Sequence, residues 1–192
     1  MKKSLLFFLL LSIAFGATAQ DGFKKYGFKS CIAKKQTTFS GQVTEGTVYV
    51  DDWGAFECEI QTMDIPDFIK YDYGILTRKN RIWTFNVQDG KVDSKESPNP
   101  MPDLSFLDPS EELAQKYEIQ DLGEEEYMGK QCHKFSYVVL TNRKKVYWTV
   151  WTWKGFPLKT VVKQGRKESV IEVVDFQENV KIPDKILHLI PE

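Results

Sequence analysis

The hydrophobic pattern of the chain has a period of two nearly throughout, which predicts strands. The clearest run is Lys144 to Phe176, KKVYWTVWTWKGFPLKTVVKQGRKESVIEVVDF. It reads as a three-strand meander broken at Lys154-Gly155-Phe156-Pro157 and at Gln164-Gly165-Arg166. Successive side chains of a strand point to opposite faces. Val146, Trp148 and Val150 therefore share one face, and Tyr147, Trp151 and Trp153 the other. The third strand repeats this with Val170, Val174 and Phe176 against Ile171 and Val173. An antiparallel sheet with one wet face alternates apolar and polar. Here both faces are apolar, so helices, a partner chain or an apolar ligand must cover the second.

Upstream the alternation is cleaner. Phe28 to Lys34 and Thr44 to Asp51 read as the first two strands, with a turn near Asp52-Trp53-Gly54. Phe56, Cys58 and Ile60 alternate with Glu57, Glu59 and Gln61, which predicts a strand with one wet face. Ile69, Tyr71, Tyr73 and Ile75 share a face, and Trp83, Phe85 and Val87 follow against Thr84 and Asn86. To this point the sheet is expected to have one aromatic-rich apolar side. Asp89-Gly90 is a two-residue hairpin signal, since both residues tolerate positive φ.

The prolines of Ser97 to Asp103, SPNPMPD, interrupt the sheet, because proline brings no donor to a ladder. A helix is expected next, with Asp108 as N-cap, Pro109 at N1 and Glu111 at N3, docking through Leu113, Ala114 and Tyr117. It is the one helix the mature chain predicts. With the proline loop, Met101, Leu104, Phe106 and Leu107, it should lie across the apolar face. Strands resume from Gln131 to Leu140, after a charged strand end or turn at Gly123 to Glu126. The tail from Ile182 to Pro191 is apolar enough to be pinned down.

The N-terminus changes the picture of location. Lys2 and Lys3 precede an apolar run from Leu5 to Phe15 and then Ala17-Thr18-Ala19, the layout of a secretory signal peptide. The run is too short to span about 30 Å of hydrocarbon at about 1.5 Å per residue. Cleavage after Ala19 makes residues 1–19 the signal and 20–192 a single domain. No cysteine follows the cut, so a soluble periplasmic protein without a lipid anchor is expected.

Charge excludes one class of partner. The 192 residues carry 26 Lys and Arg against 27 Asp and Glu, a formal charge of −1, and no basic patch suited to nucleic acid. Lys34-Lys35, Arg78 to Arg81 and Arg143-Lys144-Lys145 read as solvated loop tips. Cys31, Cys58 and Cys132 permit one disulfide in an oxidising compartment, with any of three pairings. Only His133 and His188 are present, and no zinc, nucleophile-elbow, P-loop or dinucleotide motif occurs. The expectation is therefore a protein that is not an enzyme, with no catalytic residue, metal or cofactor.

Some of these residues carry a resemblance. Gly129-Lys130-x-Cys132-x-Lys134-Phe135, Trp151-x-Trp153-Lys154-Gly155-x-Pro157-Leu158-Lys159, Pro183 with a closing apolar-Pro segment, and Gly46 to Gly54 resemble an exported bacterial family of unknown function, grouped with LolA/LolB-type periplasmic lipoprotein carriers. The resemblance covers about residues 28–191. It implies a mainly β fold, a curved and unclosed antiparallel sheet (a half-barrel), with a short helix and Pro-rich loop plugging its concave side. It also implies a lipid or lipoprotein acyl chain as partner. Candidate ligand-lining residues are the strand aromatics and one neighbour: Ile69, Tyr71, Tyr73, Trp83, Phe85, Phe135, Tyr137, Trp148, Trp151 and Trp153. The alternative is that this apolar surface meets a protein partner or a second copy and that no small molecule binds.

Overall fold

The computed structural model describes residues 24–65, 69–78, 80–88, 90–99, 104–141 and 143–190, with the side chains of 63–65, 69 and 70 set aside. The expected signal peptide, most of the Pro-rich loop with Met101, and the side chain of Ile69 thus lie outside the described residues.

Among the described residues, eleven antiparallel strands form one unclosed sheet. They are β1 (Cys31–Phe39), β2 (Gln42–Asp51), β3 (Phe56–Ile65), β4 (Ile69–Arg78), β5 (Arg81–Gln88), β6 (Lys91–Pro98), β7 (Gln120–Tyr127), β8 (Lys130–Thr141), β9 (Lys144–Trp153), β10 (Phe156–Gln164) and β11 (Lys167–Glu178). Their order is β6-β5-β4-β3-β2-β1-β11-β10-β9-β8-β7. Two meanders therefore meet at the β1–β11 seam, and the chain crosses from one outer edge to the other between β6 and β7. The sheet is a half-barrel, and the crossing segment lies in its concave side.

That segment carries helix α1 (Glu111–Lys116). Its N-cap is Ser110, two residues beyond the expected Asp108; the Ser110 hydroxyl accepts from the Leu113 backbone N–H at 3.3 Å. Serine there satisfies an otherwise orphaned N–H of the first turn. Leu104, Phe106, Leu113 and Tyr117 then pack on Phe135, Tyr137, Val146, Trp148, Val150 and Val162. Phe106 stacks on Phe135, and Tyr137 on Trp148, with ring centroids 5.4 and 5.5 Å apart. The expected grouping of Val146, Trp148 and Val150 holds, and the crossing segment is what covers them.

A second helix, α2 (Asp184–Leu187), falls in the C-terminal tail, which the sequence marked only as a pinned apolar segment. Ile182, Ile186 and Ile190, spaced four apart, pack on Phe56, Cys58, Leu76 and Phe85 on the convex side of β3 to β5. Arg78 clamps the tail by donating to the Leu187 carbonyl at 3.0 Å. Each half of the sheet thus hides a different face, under a different segment.

Other elements differ from expectation locally. β1 begins at Cys31, so Phe28 belongs to the preceding segment, which folds back over the concave face. Pro98 is the last residue of β6, an edge strand whose outer side needs no donor. Gly123 to Glu126 lie within β7, the opposite edge.

Candidate functional site

One correction decides where the site lies. Glu57, Glu59 and Gln61, expected to face water, are 3%, 1% and 3% exposed. They line the concave face of β3, while Phe56, Cys58 and Ile60 meet the C-terminal tail on the convex one. Alternation divides the strand correctly into two faces, but neither is wet. A buried carboxylate is costly unless paired and hydrogen-bonded, and cations from two other places supply the partners. The ammonium of Lys25 reaches Glu57 Oε1 and that of Lys35 reaches Glu59 Oε2. The Tyr26 hydroxyl donates to Glu57 Oε2 at 3.1 Å. Gln61 Nε2 donates to Glu59 Oε1 at 2.7 Å, and the Tyr73 hydroxyl donates to Gln61 Oε1 at 2.9 Å.

The segment bearing Lys25 and Tyr26 is held by backbone bonds to two turns. Lys25 and Tyr26 donate to the Trp53 carbonyl at 3.0 and 3.2 Å, and Gly27 donates to that of Lys154 at 2.9 Å. Gly155 sits at φ +81°, and a Cβ there would lie 2.9 Å from the Lys25 carbonyl. Only glycine serves this close crossing. Burial dominates the titration of the pair: it lowers Lys25 to about 8 and raises Glu57 above the usual carboxylate range, with the Lys25–Glu57 attraction opposing both shifts.

Beyond this polar floor, over β4 to β6, the concave face is open. A cleft of about 370 Å³ is lined by Tyr71, Tyr73, Ile75, Thr84, Asn86 and Lys95, among others. The register explains its mixed character. Tyr73 lies opposite Asn86, and Asn86 opposite Asp93; Ile75 lies opposite Thr84, and Thr84 opposite Lys95. Rows running across the sheet therefore pass from apolar at β4 to charged at the β6 edge.

The ten sequence-derived candidates do not form one surface. Tyr71 and Tyr73 line this cleft, whereas the Phe85 ring turns to the convex side, where it packs with the C-terminal tail and lies beside Gly74, a Cβ there being 2.7 Å from it. Trp83 packs on the convex side with the C-terminal tail. Phe135, Tyr137 and Trp148 are buried beneath the crossing segment. Trp151 and Trp153 lie under lysine ammonium groups, Lys134 being 4.4 Å from the Trp151 ring and Lys130 4.8 Å from that of Trp153. Periodicity could not find Lys35, Glu57, Glu59, Thr84 or Asn86, because polar strand residues read as solvent-facing. Among the described residues no group of three or more His, Cys, Asp or Glu could hold a metal ion.

No protein-family model and no curated protein matches the sequence. Solved structures do. The chain is similar to LprF from Mycobacterium bovis, with 11% identity and a TM-score of 0.42 over 84% of this chain and 91% of that one. It is similar to a DUF1329 family protein from Desulfovibrio piger, with 14% identity and a TM-score of 0.41 over 83% and 89%. A LolA superfamily protein from Nitrosomonas europaea matches at 12% identity and a TM-score of 0.39 over 85% and 90%. At these scores no function is taken from the likeness.

Proposed function

We propose that this protein is a periplasmic binding or carrier protein that holds a lipid or a lipoprotein acyl chain in the concave cleft over β4 to β6. The observation that supports it is the uneven covering of the concave side. The crossing segment packs over β8 to β10, whereas the cleft over β4 to β6 keeps about 370 Å³ within reach of solvent. That is the size range of small-molecule sites, which combine apolar walls with a few placed polar groups. Tyr71, Tyr73 and Ile75 offer the apolar wall, and Asp93 and Lys95 a charged rim where a headgroup would sit. The bound species is therefore amphipathic, its chain along β4 and its polar end at β6. The ion-paired floor fixes the tyrosine wall through the Tyr73–Gln61–Glu59 hydrogen bonds, so the cleft is formed before ligand arrives.

The test is titration of the purified protein with a fluorescent fatty acid, alongside Thr84→Trp, which fills the cleft from a strand position that needs no repacking elsewhere. Saturable binding that strengthens with chain length, by about 0.8 kcal/mol per methylene, and is abolished in a folded Thr84→Trp variant is the expected result. Absence of binding, or equal binding by the filled variant, would remove the carrier reading and leave a non-enzymatic interaction domain.

A further inference from the structure

A second surface lies at one end of the sheet, away from the cleft. The hairpin tips β8–β9 and β10–β11 project from the same end, because Tyr147, near the start of β9, pairs with Lys163, near the end of β10. Sequence alone leaves Arg143-Lys144-Lys145 as an isolated solvated turn. The register instead sets it beside Lys163, Arg166 and Lys167 of the neighbouring hairpin. Lys145 is paired with Glu118 at 2.8 Å and Lys163 with Glu168 at 3.0 Å. Among the described residues, Arg143, Lys144, Arg166 and Lys167 make no ion pair, and all four are exposed.

The same end carries apolar side chains that stay exposed among the described residues. Tyr147 lies opposite Val138 and Leu140 opposite Lys145, all on the face away from Val146 and Trp148. Leu140 is 71% exposed and Tyr147 53%, although each sits in a well-formed strand. In the adjoining row, Val161 lies opposite Val170, Val170 opposite Thr38, and Thr38 opposite Val43, which is 57% exposed. An apolar strip flanked by unpaired cations is the composition of a surface that rests in the interfacial region of an anionic bilayer, greasy side chains inserted and ammonium and guanidinium groups on the headgroups.

We propose that this end of the sheet is a peripheral docking surface for an anionic phospholipid bilayer, with Leu140 and Tyr147 inserting and Arg143, Lys144, Arg166 and Lys167 meeting the headgroup phosphates. The proposal stands on residues outside the cleft and does not depend on what the cleft holds.

Co-sedimentation with vesicles of phosphatidylglycerol and phosphatidylcholine, against phosphatidylcholine alone, tests it. Binding is expected only to the anionic vesicles, to be lost at high salt, and to weaken about fivefold for each cation neutralised. The quadruple change of Arg143, Lys144, Arg166 and Lys167 to Gln should therefore cost at least about a hundredfold. Leu140→Ser should weaken binding at low salt while leaving the urea midpoint unchanged. No sedimentation with anionic vesicles, or sedimentation unaffected by salt, overturns the proposal even if the quadruple variant fails to fold. Tight binding of polyglutamate together with no effect of Leu140→Ser would also overturn it, by assigning the cations to an acidic polypeptide.

Discussion

Glu57, on the concave face of β3, and Lys25, in the segment ahead of the first strand, are joined as an ion pair from which water is shut out. Thirty-two residues separate them in sequence. The pair fastens the N-terminal segment across the concave face and sets one end of the polar floor.

Removing one partner leaves the other charge buried and unmatched, which costs about 3–5 kcal/mol in comparable sites, whereas replacing both by apolar groups is often neutral or better. Lys25→Met and Glu57→Leu should each lower the urea midpoint strongly, and the double variant should recover most of the loss. Strictly additive losses in that cycle would mean that the two groups do not act as a pair.

The three thiols give a pH dependence. Cys31, Cys58 and Cys132 are free and buried. Burial pushes the Cys58 thiol up to about 12 and Cys31 well above its usual value. An unfolded thiol loses its proton near pH 9, so above that pH the folded state binds the more protons and stability falls as pH rises. The thiols' contribution is whole below pH 9 and declines toward 12. Cys58→Ala should flatten the alkaline decline of the urea midpoint, and native protein at pH 8 should resist thiol-reactive reagents until it is unfolded.

Ile186 anchors the C-terminal tail on the convex face and is buried there. Ile186→Ala should cost about 2–5 kcal/mol by the loss of buried methyls and the cavity left behind. Thermal unfolding with an unchanged midpoint would show that the tail is not fastened as described.

Gly74 allows β3 and β4 to approach, since a Cβ there would lie 2.0 Å from the Glu59 carbonyl oxygen and 2.7 Å from the Phe85 ring. Gly74→Ala should lower stability by about 1–3 kcal/mol or more, because it pushes β4 off β3 and off the Phe85 ring. Wild-type stability in this variant would contradict the packing.

Much of the architecture was legible from period-two patterning. The apolar Val146, Trp148 and Val150 face of β9 announced the cover that the crossing segment provides, and the capping sequence after the prolines placed helix α1 on that segment. Its cap was read two residues early, because Asp108 and Ser110 are both good N-caps and only the Ser110–Leu113 bond separates them. The site was less legible. Periodicity assigns side chains to faces but does not say which face is buried, so Glu57, Glu59 and Gln61 read as wet. Their neutralising partners, Lys25 and Lys35, lie on other segments, and only tertiary pairing reveals that these charges match. The ten aromatic and aliphatic candidates, likewise chosen by hydrophobicity, are divided by the sheet because β4 and β9 hide different faces.

The proposed function places the lipid in the concave cleft over β4 to β6. A two-dimensional NMR titration of isotope-labelled protein with a lysophospholipid below its micelle concentration tests this most directly. The prediction is saturable shifts in the amides of Tyr71, Tyr73, Thr84, Asn86 and Ser94, with those of Trp148 and Tyr137 unmoved. Shifts confined to the β8–β9 strands beneath the crossing segment, or no saturable shifts at all, would contradict it.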